Sequence, residues 1–218
     1  MKATYVSHMG DDNLVADAAR VSFAKKASEY TPEQNDKLIG YLARHGHWTP
    51  FGHPQVTIHV EAPIFVARQL VKHQVGLVWN EVSRRYIDSK PEFFTPRSWR
   101  PRAKHNKQGS IREDQIEDMR AAYAVYQDTV RVMVDAYDDL LSLGVAPEQA
   151  RIVLPLSSMT EWYWTGSLAA WSRVYNLRSG EDSQVETSEI AQDIGEILKE
   201  LYPVSWDSLT TRSSQHAT

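Results

Sequence analysis

The chain has 218 residues, 42% of them hydrophobic, with seven Trp and ten Tyr, enough to bury a sizeable core in one domain. Its formal net charge is −4 at pH 7 and its isoelectric point is near 6.1, a balance that does not advertise a nucleic-acid binder. The absence of cysteine excludes disulfides, cysteine-ligated zinc or iron–sulfur clusters, and any thiolate nucleophile.

Apolar runs stay well short of the roughly 18 residues a membrane-spanning helix needs. The segment Met1–His8 does not read as a secretory signal. The expectation is therefore a cytoplasmic protein with a single domain over residues 1–218, ending in a polar, disordered tail after about Trp206.

In chain order, residues 3–7 predict a short strand, and Leu14 to Phe23 a weakly amphipathic helix. Thr31-Pro32-Glu33-Gln34 is a capping box that opens a second helix, and Gly46 is placed to stop it. His45, His47 and His53 are close in sequence, but they lack a helical pairing and a neighbouring carboxylate, so no metal is expected. Val56, Ile58 and Val60 alternate with Thr57, His59 and Glu61, which predicts a strand over 55–61 with one buried face and a solvated His59.

Pro63 suits the first turn of a helix. Continued helically, that segment puts Gln69, Lys72 and His73 within one turn of each other, with Gly76 as the helix end and Val75–Val78 as a short buried run. Asn80, Glu81, Ser83, Arg84, Arg85 and Tyr86 then crowd charge and hydrogen-bond donors together. Paired guanidinium groups and a hydroxyl suit a bound phosphate; a solvated charged turn is the alternative reading. From Arg84 to Lys107 basic residues outnumber Asp88 and Glu92, and Phe93, Phe94 and Trp99 are interleaved. Such a stretch can bind single-stranded nucleic acid, line the entrance for an anionic ligand, or simply form a surface loop.

The segment 113–143 predicts one long helix. Ile116, Met119, Tyr123, Tyr126, Val130, Met133, Tyr137 and Leu140 form a heptad stripe that calls for another helix or a partner subunit. Pro147 opens a short helix that stops before Pro155, with Glu148 and Arg151 placed for a surface ion pair. Thr160 to Arg178, rich in Trp, predicts a largely buried helix. Ser183-Gln184-Val185-Glu186 reads as a second capping box, opening a helix with Ile190, Ile194, Ile197 and Leu201 inward.

Lys72-His73-Gln74, eight residues, then Ser83, with Asn80-Glu81 before it and Arg85-Tyr86 after, resembles the signature of the flavin-dependent thymidylate synthases: Arg-His-Arg, seven residues, Ser. Three further segments are similar to that family: His47-Trp48-Thr49-Pro50-Phe51-Gly52-His53, Glu148 to Pro155, and Asn176-Leu177-Arg178. The resemblance spans roughly residues 40–200. The departures fall on flavin contacts. Lys72 and Gln74 replace arginines, Gly52 stands where Glu is usual, and Ser167, Ala169 and Arg173 stand where Asn, Arg and Asn are more frequent.

The family implies an α/β (α+β) fold with a central, mainly antiparallel sheet flanked by helices, assembled as a homotetramer. It implies reductive methylation of dUMP to dTMP, with methylenetetrahydrofolate as carbon donor and NADPH-reduced FAD as hydride source. Carried over by motif, Gln69, Lys72, Glu81, Ser83, Arg84, Arg85, Arg151 and Arg178 hold dUMP, and Arg178 polarises the pyrimidine edge as the catalytic group. His47, Thr49, Lys72, His73, Gln74, Glu81, Ser167 and Arg173 face FAD, with His47 and Tyr86 near flavin or folate. Ser83 has no evident His–Asp pair to activate it, so it reads as a phosphate ligand. Two alternatives are a nucleotide-binding homologue that has lost flavin chemistry and a single-stranded nucleic-acid binder using residues 84–107.

Overall fold

The computed structural model describes residues 1–87, 89–104 and 109–211. In chain order they form β1 (Lys2–Met9), α1 (Asp12–Arg20), α2 (Pro32–Arg44), β2 (Gln55–Pro63), α3 (Ile64–Leu70), β3 (Leu77–Glu81), α4 (Met119–Ser142), α5 (Pro147–Ala150), β4 (Met159–Ser167), α6 (Leu168–Arg178), α7 (Val185–Leu201) and α8 (Pro203–Thr210). The strands make an antiparallel sheet in the order β1-β2-β4-β3, so the expected α/β class is observed. The described residues divide into two compact units. One comprises Glu61–Gln69 and Glu81–Trp162, with Met1; the other comprises Lys2–Val60, Leu70–Asn80 and everything from Tyr163 onward.

The second unit holds the larger apolar core. β2 buries Val56, Ile58 and Val60 completely, as its alternation predicts. His59 points the other way, but it is half-buried with its ring 5.2 Å from that of Tyr163, so it is not simply solvated. The Thr31 capping box forms with both of its hydrogen bonds. At the far end of α2, Gly46 adopts φ +69°, and the His47 N–H reaches back to the Leu42 carbonyl at 2.9 Å. Helices α6, α7 and α8 pack together around Trp171, Ile190, Ile194, Leu198 and Tyr202, all essentially inaccessible. The Asp12 carboxylate caps α8 by accepting from the backbone N–H groups of Val204 and Ser205.

Several expectations are corrected in this unit. Strand β1 runs further than residues 3–7 at both ends. The first helix stops at Arg20, and a 3-10 turn carries Val21–Phe23. Residues 160–178 are not one helix: the first half is strand β4, which buries Trp162 and Trp164 on one face, and only Leu168–Arg178 is helical. The N-cap of α7 falls on Gln184, not on Ser183. Gln184 occupies the cap position of α7 without a side-chain bond, and the Ser183 hydroxyl donates to the Leu177 carbonyl instead. Ala191 and Leu198 take inner places on α7, while Ile197 and Leu201 are only half-buried. The tail expected to be disordered after Trp206 is helical to Thr210; residues 212–218 lie outside the described set.

In the first unit the long helix is Met119–Ser142, not 113–143. Asp118 caps it by accepting from the Ala121 N–H, and Ile116 is held outside by its N–H bond to the Trp99 carbonyl. The heptad stripe does face inward, yet much of what covers it is not a helix. Tyr123 donates to the Pro96 and Arg97 carbonyls and Tyr126 to the Phe94 carbonyl, while the Trp99 ring lies edge-on to both tyrosines. Further along, α4 packs on α5 and the 3-10 turn Arg151–Val153, with Tyr137 buried.

Candidate flavin and nucleotide site

The predicted ligands gather into two clusters, one in each unit. The first is built on the turn between α3 and β3. Helix α3 is seven residues long and ends at Leu70, so helical spacing does not bring Gln69, Lys72 and His73 together. Instead the His73 N–H bonds to the Leu70 carbonyl at 3.0 Å and the chain turns away. Val75 and Val78 are 79% and 63% exposed, so the expected buried run is a displayed one.

Gly76 closes this turn at φ +77°, a left-handed conformation that glycine adopts without steric cost. The turn lies directly on the start of α6. A Cβ on Gly76 would sit 3.1 Å from the Ala170 Cβ, and one on Gly166 would sit 2.8 Å from the Gly76 carbonyl oxygen. The Ser167 N–H donates to that same carbonyl at 3.3 Å, and the Ser167 hydroxyl caps α6 through the Ala170 N–H. Two backbones therefore meet where two glycines permit it.

That approach brings α6 side chains onto the turn. Arg173 donates from Nη2 to the Val75 carbonyl at 2.7 Å. Arg178, the last residue of α6, donates from Nε to His73 Nε2 at 3.0 Å. An arginine only donates, so Nε2 must be the unprotonated nitrogen and the ring must be neutral. Burial and the flanking guanidinium groups of Arg178 and Arg173 hold the His73 pKa below its ordinary value. Arg178, half-buried, thus has His73 as a partner. Lys72, Gln74 and Arg173 are exposed. The 3-10 turn Thr49–Gly52 packs on α6, and His47, just before it, is exposed and edge-on to Tyr41.

The second cluster is Glu81 to Tyr86 with the first half of β4. The Thr160 hydroxyl donates to the Glu81 carboxylate at 2.8 Å. Ser83 accepts from Arg85 Nε at 3.2 Å, and its carbonyl closes a turn with the Tyr86 N–H. Arg84 donates to the Ser89 carbonyl, and Arg151 Nε donates to the Glu148 carbonyl, so the expected Glu148–Arg151 ion pair is not made. Among the described residues, Arg84, Arg85 and Arg151 are thus oriented by neutral oxygens and keep their charge available. Tyr86 is 78% exposed beside the Arg85 guanidinium. Gln69 is half-buried on α3.

Sequence reasoning missed a cleft of ≈ 320 Å³ beside this cluster. Lys90, Glu61 and Glu92 join Arg84 and Thr160 in lining it. The run Arg84–Lys90 carried a signal in its basic residues, but nothing local marked Glu61. Phe93, Phe94 and Trp99 are half-buried, with Phe94 edge-on to Phe65 at 5.8 Å, so these aromatics serve packing and are not displayed for stacking bases. Asp88, His105 and Lys107 lie outside the described residues.

Exposed cations and hydrogen-bond donors in both clusters suit anionic ligands such as phosphates. A model of the thymidylate synthase complementing protein family matches residues 4–204, and the chain belongs to that family. It is 41% identical over 203 residues to a flavin-dependent thymidylate synthase of Thermosipho africanus, covering 93% of this chain and 88% of that one. It is 41% identical over 201 residues to a flavin-dependent thymidylate synthase of Thermus thermophilus, covering 92% and 72% respectively. Its fold matches a crystal structure of a UMP/dUMP methylase, PolB from Streptomyces cacaoi, bound with 5-Br dUMP. There the TM-score is 0.86 and the identity 28%, over 96% of this chain and 94% of that one.

Proposed function

We propose that the protein is a flavin-dependent thymidylate synthase that converts dUMP to dTMP, taking the carbon from methylenetetrahydrofolate and reducing its FAD with NADPH. The observation that carries this reading is the turn cluster, where Arg173 and Arg178 flank a neutral His73, next in sequence to the exposed Lys72, on a turn where Gly76 and Gly166 meet. Cations and donors on an exposed turn fit the phosphates of a dinucleotide. His47, Thr49, Lys72, His73, Gln74, Glu81, Ser167 and Arg173 would hold FAD. When bound, FAD supplies the hydride that completes the methyl group.

The remaining roles belong to this chain's own residues. Ser83, Arg84, Arg85 and Arg151 hold the dUMP phosphate, and the family's motif assigns Gln69, Lys72 and Glu81 to dUMP as well. Arg178 sets its outer N–H groups against the pyrimidine edge and stabilises the charge that grows there as C5 becomes nucleophilic. No cysteine is available to attack the ring, so activation by polarisation is the route the residues permit.

A homotetramer in the cytoplasm completes the proposal. Most of the heptad stripe is only half-buried, and α4 also displays Val125 and Val132, seven residues apart and 69% and 63% exposed. Light scattering from a 24.9 kDa chain should give about four times that mass; a monomer at micromolar concentration counts against the assembly.

The decisive experiment is direct. Purified protein should show flavin absorbance, and dUMP with methylenetetrahydrofolate and NADPH should yield dTMP on chromatography. Tight dUMP binding by colourless protein that cannot be loaded with FAD would favour the homologue that has lost flavin chemistry, which the Lys72 and Gln74 departures suggest.

A further inference from the structure

Arg178 and His73 are 105 residues apart in sequence and joined by one hydrogen bond. We propose that His73 is a positioning residue for Arg178: its neutral imidazole anchors the guanidinium through Nε and aims the two outer nitrogens at the nucleotide base, and a proton on the ring releases the anchor. This rests on the dUMP reading of Arg178 given above.

The geometry supplies each part. A guanidinium has five N–H donors in a rigid plane. Holding Nε fixes that plane and leaves the four outer N–H groups for a ligand. The imidazole is itself fixed, because its backbone N–H is bonded to Leu70 and its turn is strapped to α6 by Arg173 at Val75 and by Ser167 at Gly76. Arg178 is half-buried, so its anchor competes less with water than a surface contact would.

The anchor works in one protonation state. With its Nε2 used as acceptor, the ring carries its proton on Nδ1. Protonating Nε2 removes the acceptor and places a cation among Arg178 and Arg173 from α6 and Lys72 from the ring's own turn. The charged groups that perturb the ring electrostatically are the two arginines. Arg178 then loses its fixed aim and binds the base less well. Acid should therefore weaken dUMP binding through His73, in addition to the charge the nucleotide's own phosphate loses near pH ~6.

The test uses the whole protein and three chains: wild type, His73→Ala and His73→Gln. Glutamine offers a carbonyl oxygen as acceptor and does not titrate. dUMP affinity is measured by calorimetry from pH 5 to 8, and imidazole nitrogen shifts are read by NMR without any ligand. His73→Ala should weaken dUMP by roughly tenfold or more at pH 8, the scale of losing a hydrogen bond to a charged group. His73→Gln should recover most of that loss and show a shallower acid limb than wild type. The wild-type ring should show the Nδ1–H tautomer.

Equal affinity in His73→Ala, an identical acid limb in His73→Gln, or an Nε2–H tautomer would each overturn the inference. If His73→Ala does not fold, the glutamine variant and the tautomer still decide. A wild-type protein that does not bind dUMP at all would sink the functional reading instead, while the tautomer would still report on the anchor.

Discussion

Gly166→Ala tests the backbone contact on which the flavin cluster is built. The new Cβ would lie 2.3 Å from Leu77 Cδ2 and 2.8 Å from the Gly76 carbonyl oxygen. The leucine methyl can rotate away. The carbonyl cannot, because it is main chain and accepts the Ser167 N–H at 3.3 Å. Carbon and oxygen settle at about 3.3 Å or beyond, so the turn must retreat by roughly half an ångström. Overpacking of this kind costs about 1–3 kcal/mol, and a lost backbone hydrogen bond adds about 1 kcal/mol. At about 2–4 °C per kcal/mol for a chain of this length, the melting temperature should fall by roughly 4–16 °C. The retreat also carries Lys72, His73 and Gln74 away from Ser167 and Arg173, so FAD should bind more weakly in a flavin-fluorescence titration. Gly46→Ala is the control. That residue has φ +69° but no atom within 4 Å of the added Cβ, so it incurs left-handed strain of about 1–2 kcal/mol and should leave FAD binding alone. The reasoning is refuted if Gly166→Ala melts within about 2 °C of wild type, or binds FAD as Gly46→Ala does.

Arg178→Ala should slow dTMP formation by roughly two to three orders of magnitude in single-turnover oxidation of the reduced enzyme, the scale of losing one donor to developing charge, while NADPH still reduces the flavin. Ser83→Ala should act mainly on dUMP affinity, because the hydroxyl also orients Arg85; an abolished rate at saturating dUMP would revive it as a nucleophile. Lys72→Ala should weaken both FAD and dUMP, and unchanged affinity for both in equilibrium titrations would misplace it. Tyr202 is fully buried, donates to the Met9 carbonyl, and has its pKa raised to about 12. The unfolded chain ionises this phenol first, near its ordinary value of 10.0, so its stabilising contribution is complete below that pH and is lost as the pH rises toward 12. Chemical denaturation from pH 9 to 12 should show a shallower decline in Tyr202→Phe than in wild type.

Elements whose burial follows a clean local period were legible. β2 alternates apolar with polar residues over its whole length, and α2 carries a capping box and a terminal glycine. β4 alternates too, with Thr160, Trp162, Trp164 and Gly166 buried. Its outward face carries Tyr163, however, which blurs the polar half of the pattern. Trp171 and Tyr175 follow at helical spacing, so the whole run reads as one aromatic helix. The α4 stripe calls for another helix or a partner subunit; within the chain only Tyr137 of it is buried, and its cover is partly a loop whose tyrosine-accepting carbonyls carry no sequence signal.

The site divides in the same way. Motif spacing reached Lys72, His73, Ser83 and Arg178 one by one, but it could not pair His73 with Arg178, because only the packing of α6 on the turn joins them. Two of the departures meet at this packing. Gln74 removes a cation from the turn where the family pattern has one, and Arg173 adds a cation on α6 where the pattern has a neutral amide. In the fold these two changes are neighbours, since the Arg173 guanidinium bonds to Val75, the residue next to Gln74. Ala169, on the same helix, stands where the pattern has an arginine, so α6 loses one cation and gains one while the turn loses one. Arg173 therefore offsets one of the two positive charges lost, and Coulomb attraction at that range depends little on which backbone supplies it. Hydrogen-bond direction does depend on the backbone. A guanidinium tethered to Val75 has one N–H already committed, so the altered signature keeps part of the attraction for an anion and changes the geometry of its grip.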